Sequence, residues 1–143
     1  QSAVERHPLR ADIDVVSDGV EKVFELSDVI VAASGTVTLQ AAIHGTPMVI
    51  IYKVSPVSFW LGRALVRVPS IGLVNLVAGE QLVPELVQHE ACAENIASAL
   101  EHLLNDASRL NHLKQQLFAL RNVLGGGGAS ERVADLALGM LKR

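Results

Sequence analysis

The 143-residue chain has one cysteine, Cys92, which excludes an internal disulfide and any zinc site built from several thiolates and suits a reducing compartment. Its unbroken apolar stretches are only a handful of residues long, far short of the ~20 needed to cross a bilayer. The first residues hold neither a basic segment nor an apolar one, so no secretory signal is expected. A Walker A loop and a Gly-x-Gly-x-x-Gly turn are both missing, which excludes a complete P-loop or dinucleotide site. The five histidines, His7, His44, His89, His102 and His112, show no short ligand spacing; no metal and no cofactor is expected. No internal repeat occurs.

Carboxylates are absent over a long window. Residues 29–79 contain none, only Lys53, Arg63 and Arg67. Residues 80–106 reverse this, with six acids and no base. The net charge of −3 conceals this segregation. An anion would meet little repulsion in the first window, although the buried centre of a fold would give the same pattern. Half the residues are apolar and 19 % are charged, which is the composition of a folded chain, and the length allows one core.

Short β-branched runs alternate with helical stretches. Residues 13–16, 29–33 and 48–52 are apolar runs of strand length bounded by Asp, Ser, Gly or Pro, and residues 71–74 are a weaker fourth. Helical stretches over 19–26, 36–44 and 56–68 separate them. The order βαβαβαβ predicts an α/β, Rossmann-like partial domain with a parallel sheet of about four strands, covered on both faces. The second half predicts a helical segment. Ile96, Ala97, Leu100, Leu103 and Leu104 form one stripe. Asn105-Asp106 ends that helix and caps the next, in which Leu110, Leu113, Leu117, Leu120 and Leu124 line one face suited to packing against the sheet. Four glycines at 125–128 break the pattern before a last helix opening near Ser130.

Ala33-Ser34-Gly35-Thr36 falls between a strand and a helix. There, at the carboxyl end of a parallel strand, helix amides point outward and favour a phosphate. Gly35 permits close backbone approach, and Ser34 and Thr36 offer hydroxyls. A turn merely capped by Ser34 or Thr36 fits the same residues. Tyr52, Phe59 and Trp60, three of the five aromatics, fall within nine residues, and Arg63 and Arg67 follow on one helical side. A basic helix with aromatics can rest on an anionic membrane surface or grip a lipid phosphate, and an ordinary half-buried helix is the alternative. Cys92 precedes a helix without residues arranged to activate it, so a cap or packing role is expected. Glu80, Glu85, Glu90, Glu94 and Glu101 read as a solvated acidic face.

Taken in order, Ala33-Ser34-Gly35-Thr36-Val37-Thr38-Leu39-Gln40, His44-Gly45-Thr46-Pro47-Met48-Val49, Tyr52-Lys53-Val54-Ser55-Pro56, Asn75-Leu76-Val77-Ala78-Gly79 and Val83-Pro84-Glu85-Leu86-Val87-Gln88 resemble the lipid-A-disaccharide synthase family. The likeness covers nearly the whole chain from about Asp14 onward and includes Phe59-Trp60-Leu61, Leu65-Val66-Arg67-Val68-Pro69 and the closing glycines at 125–128 with Ala129-Ser130-Glu131. It implies a GT-B glycosyltransferase of two Rossmann-like domains. Such an enzyme joins UDP-2,3-diacylglucosamine to 2,3-diacylglucosamine 1-phosphate, releasing UDP, on the inner face of the bacterial inner membrane. The resemblance assigns residues 1–143 as one domain, the C-terminal donor-binding half. The family's N-terminal domain, with its acceptor contacts and base, and its arginine-bearing phosphate loop have no counterpart here.

Residue by residue, the resemblance implies UDP contacts at Ser34, Gly35, Thr36, Gln40 and Asn75. Gln40 stands where the family's Ser-Gly-Thr-x-x-Leu-Glu motif has glutamate, and keeps an acceptor for a ribose hydroxyl without the charge. Val74 replaces the proline before Asn75, and Glu80 stands where a base is frequent. Phe59, Trp60, Arg63 and Arg67 are expected to touch lipid or membrane. Partners are then UDP-2,3-diacylglucosamine, a lipid acceptor and the inner-membrane surface, from the cytoplasmic side, with no nucleic acid; homo-oligomerisation is open, and the chain alone is expected to be inactive. A free-standing nucleotide-sugar-binding subunit completed by a separate catalytic chain is the alternative. A GT-B enzyme acting on soluble UDP-N-acetylglucosamine fits residues 52–56 less well. A phospho-receiver is excluded because no aspartate ends a strand.

Overall fold

The computed structural model describes residues 13–16, 19–56, 59, 70–125 and 128–141. Three parallel strands, β1 (Ile30–Ala33), β2 (Met48–Tyr52) and β3 (Glu85–Val87), lie in the order β1-β2-β3. Ile30 pairs with Met48 and Ile50 with Glu85. The helices are α1 (Val20–Leu26), α2 (Thr36–Ile43), α3 (Leu73–Ala78), α4 (Ala93–Leu104), α5 (Ala107–Leu124) and α6 (Ala129–Leu141). This is the expected α/β, Rossmann-like arrangement with a helical C-terminal part.

β2 is central, so Met48, Val49 and Ile50 are buried on both faces. β1 is an edge among the described residues, and Val31 stays 42 % exposed; cover on both faces therefore holds, among the described strands, for β2 and not for β1. The helices pack around this strand: α2 lies against α1, α3 and α5, and α4 against α5 and β2. Leu113, Leu117 and Leu120 of α5 are buried, as their spacing predicts, but their face meets chiefly α2, α3 and α4 rather than the sheet. Leu124 at the end of the row is 40 % exposed. Asp106 caps α5 by accepting a bond from the Arg109 amide at 2.9 Å.

Two strand expectations are corrected. Residues 13–16 form no ladder and leave Ile13, Val15 and Val16 exposed. A β-branched run needs a partner for its N–H and C=O groups, and the described residues supply none. Residues 71–74 do not form a strand; they bend into α3, and a strand at Glu85–Val87 takes the place beside β2. The β-branched Val74 is helical and fully buried, so packing overrides its intrinsic preference. Cys92 is the N-cap residue of α4. A bond from the Glu94 amide and one from the Cys92 thiol hold the Glu94 carboxyl below its ordinary range.

Candidate functional site

The Ser34-Gly35-Thr36 turn closes β1 and opens α2 at the carboxyl end of the sheet. Ser34 continues the ladder, its amide donating to the Ile51 carbonyl at 2.9 Å. Gly35, not Ser34 or Thr36, occupies the N-cap position, and no side chain caps the helix. The Thr38 amide and hydroxyl both bond to the Gly35 carbonyl, at 3.1 and 2.7 Å. That fixes the first turn while the amides at its start lack intrahelical acceptors, as in any α-helix. Gly35 is extended, with φ 161°, and nothing lies within 4 Å of where a Cβ would stand. Thr36 and Gln40 are both exposed, four apart and thus on one side of α2.

Ser34 uses its hydroxyl elsewhere. It donates to the Ile71 carbonyl at 3.3 Å, across 37 positions of chain. From Ile71 the connection continues to Glu85, whose carboxylate accepts from the Ile71 amide at 2.8 Å, the Gly72 amide at 3.0 Å and Asn75 Nδ2 at 2.7 Å. An anion at the start of α3 is favoured by the helix dipole, and a carboxylate with three N–H donors is held firmly in place. Asn75 is 2 % exposed. Its Nδ2 also donates to the Val83 carbonyl at 2.9 Å and its Oδ1 accepts from the Val83 amide at 3.0 Å. Both amide hydrogens are engaged inside the protein.

Glu85 thereby departs from the expected solvated acidic face. It is half-buried in β3, whose register opposite Ile50 turns its side chain to the loop before α3. The available signal was its place inside the apolar stretch Val83-Pro84-Glu85-Leu86-Val87. Gln88, the next polar residue, holds the other neighbouring loop. Its Oε1 accepts from the Val54 amide at 2.8 Å and its Nε2 donates to the Val54 carbonyl at 3.0 Å. Lys53, just before Val54, is exposed. The chain turns helical at Pro56, with the Phe59 amide bonded to the Ser55 carbonyl at 3.0 Å. Phe59 is half-buried, whereas Trp60, Arg63 and Arg67 fall outside the described residues.

The structure thus brings Ser34, Gly35, Thr36 and Gln40 together at one edge and ties Asn75 to them through Ile71 and Glu85. Three separate sequence motifs meet in this network. A family model described as lipid-A-disaccharide synthetase matches residues 7–133. The chain belongs to this family. The lipid-A-disaccharide synthase of Geobacter sulfurreducens is 46% identical over 130 residues, covering 91% of this chain and 34% of that protein. That of Nitrosococcus oceani is 43% identical over 137 residues, 96% of the chain and 34% of that protein. The Coxiella burnetii synthase is 41% identical over 128 residues, with 90% and 34% covered. The chain spans about a third of the length of these curated relatives of the synthetase family.

Among the described residues no helix is long and apolar enough to cross a membrane, and no group of three His, Cys, Asp or Glu is placed to hold a metal ion. A shallow apolar depression lined by His44, Lys114 and Phe118 lies at the opposite end of α2 from Ser34. It is therefore away from the carboxyl edge, where ligands of open α/β sheets bind.

Proposed function

We propose that the chain is a single domain forming the UDP-sugar-binding part of a lipid-A-disaccharide synthase. That enzyme transfers 2,3-diacylglucosamine from UDP to 2,3-diacylglucosamine 1-phosphate in lipid A biosynthesis. The observation that carries the reading is the connection from Ser34, at the carboxyl end of β1, through Ile71 and Glu85 to Asn75, which unites three family motifs.

In this reading the Ser34-Gly35-Thr36 turn receives the diphosphate. The open space over Gly35 lets an oxygen approach the backbone, and the start of α2 offsets its charge. Gln40, one turn along, accepts from a ribose hydroxyl. Asn75 contributes by holding the loop at Ile71 and Gly72, because its own amide hydrogens are occupied. Displacement at the anomeric carbon breaks the bond to the β-phosphate oxygen, and the charge that gathers on the departing UDP is stabilised at this turn. The base that accepts the acceptor's proton belongs to the acceptor side of the reaction, and the role read for this chain is on the donor side. The segment with Phe59, Trp60, Arg63 and Arg67 touches lipid at the cytoplasmic face of the inner membrane.

Titration of the ¹⁵N-labelled chain with UDP tests the site. Shifts are expected at Ser34, Gly35, Thr36 and Gln40. Shifts confined to α5, or none at all, would overturn the reading.

A further inference from the structure

We infer that Gln88 is a positioning residue that fixes the loop after β2 for binding of the diphosphate of a nucleotide sugar, an inference that rests on the donor-site reading above. Backbone pairing between β2 and β3 ends at Tyr52 and Val87. One residue further, the Gln88 side chain takes over: its amide presents a donor and an acceptor with the chemistry of a peptide group and binds both the N–H and the C=O of Val54. The side chain thus continues the ladder where the main chain has turned away.

Gln88 has φ 54°, the one positive φ at a non-glycine among the described residues. Residues with a Cβ adopt this conformation seldom, Asn and Asp excepted. Such a conformation persists only where the surroundings hold it, and it concentrates at functional sites. Here the paired bonds to Val54 supply the hold. The clamped loop begins beside the Ser34 turn, since Ser34 bonds to Ile51 in the same strand. It carries Lys53, the one cation among the described residues of the carboxylate-free window. Fixing Val54 fixes the backbone on which Lys53 stands, and a diphosphate is the ligand that a cation beside a helix start serves.

Gln88→Gly separates this role from simple stability, because glycine removes the clamp and the conformational strain together. Three readouts on the 143-residue chain test it: the thermal midpoint, hydrogen exchange of the Val54 amide, and UDP affinity by calorimetry. With the midpoint nearly unchanged, exchange at Val54 should quicken about tenfold, as for the loss of one hydrogen bond. UDP affinity should fall about fivefold, the size of one exposed charge contact. Lys53→Met should lower affinity similarly, and the double variant should fall clearly short of the product of the two effects. Unchanged exchange at Val54, unchanged UDP affinity in Gln88→Gly, or fully additive losses would each overturn the inference. A wild-type chain that binds no UDP would overturn the donor-site reading and the ligand half of this inference. Faster exchange in Gln88→Gly would still establish that Gln88 fixes the loop.

Discussion

Asn75 Nδ2 donates to Glu85 Oε1 at 2.7 Å, joining the interior of α3 to β3 across ten positions of sequence. The same oxygen accepts from the Gly72 amide, so one carboxylate sets both the start of α3 and the rotamer of its buried asparagine. Removal of Glu85 would leave the Ile71 and Gly72 amides without an acceptor. Glu85→Ala is expected to cost about 2–3 kcal/mol, measured by urea unfolding. Glu85→Gln should cost less, because an acceptor oxygen is kept. A loss below about 0.5 kcal/mol for alanine would mean that water replaces the carboxylate at no cost.

Gly72 is expected to tolerate no side chain. A Cβ there would stand 2.5 Å from Ile50 Cδ1 and 3.0 Å from Glu85 Oε1. Gly72→Ala forces the central strand or the Glu85 anchor to move, at about 1–3 kcal/mol. Thermal unfolding checks it, and an unchanged midpoint would show that Ile50 turns aside freely.

Gly35 gives the opposite outcome. Its extended backbone and the empty space around it let alanine fit, so Gly35→Ala should leave the thermal midpoint within about 2 °C, the scale of a few tenths of a kcal/mol. UDP affinity should nevertheless fall severalfold, because the methyl group occupies the path of a phosphate oxygen to the backbone. Equal affinity in calorimetry would remove Gly35 from the site.

Asp106 accepts from the Arg109 amide at 2.9 Å at the start of α5. Asp106→Ala is expected to destabilise the chain by about 1 kcal/mol, and Asp106→Asn or Asp106→Ser by much less. Chemical denaturation of the three variants gives the ranking.

Arg63 and Arg67 stand four residues apart near Phe59 and Trp60 in the window without acids. Each basic residue near an anionic bilayer contributes about 1 kcal/mol. Arg63→Glu with Arg67→Glu should therefore weaken co-sedimentation with anionic vesicles at least about tenfold, with folding checked by circular dichroism. Equal binding of the unaltered chain to anionic and neutral vesicles would contradict the electrostatic contact.

Local physics made much of this protein legible in its sequence. Strand-length apolar runs gave β1 and β2, the Ser-Gly-Thr turn located the start of α2, and Asp106 and the glycines at 125–128 bounded α5. Each of these depends on residues within a few positions: a repeat of 3.6, a cap three residues from its amide, a glycine where a helix must stop. The order of motifs likewise pointed to the family without any knowledge of distance. Tertiary structure alone decided the rest. Whether Val74 would be strand or helix depended on Glu85, eleven positions on, capping the loop before it. Whether Glu85 would face solvent depended on β3 pairing with Ile50 rather than on its charge. Gln88 meets Val54 across 34 positions, and no window of sequence contains both. A carboxylate or an amide has no preferred partner until the fold brings donors to it, so in this chain the residues that hold the loops were visible only once the sheet was assembled.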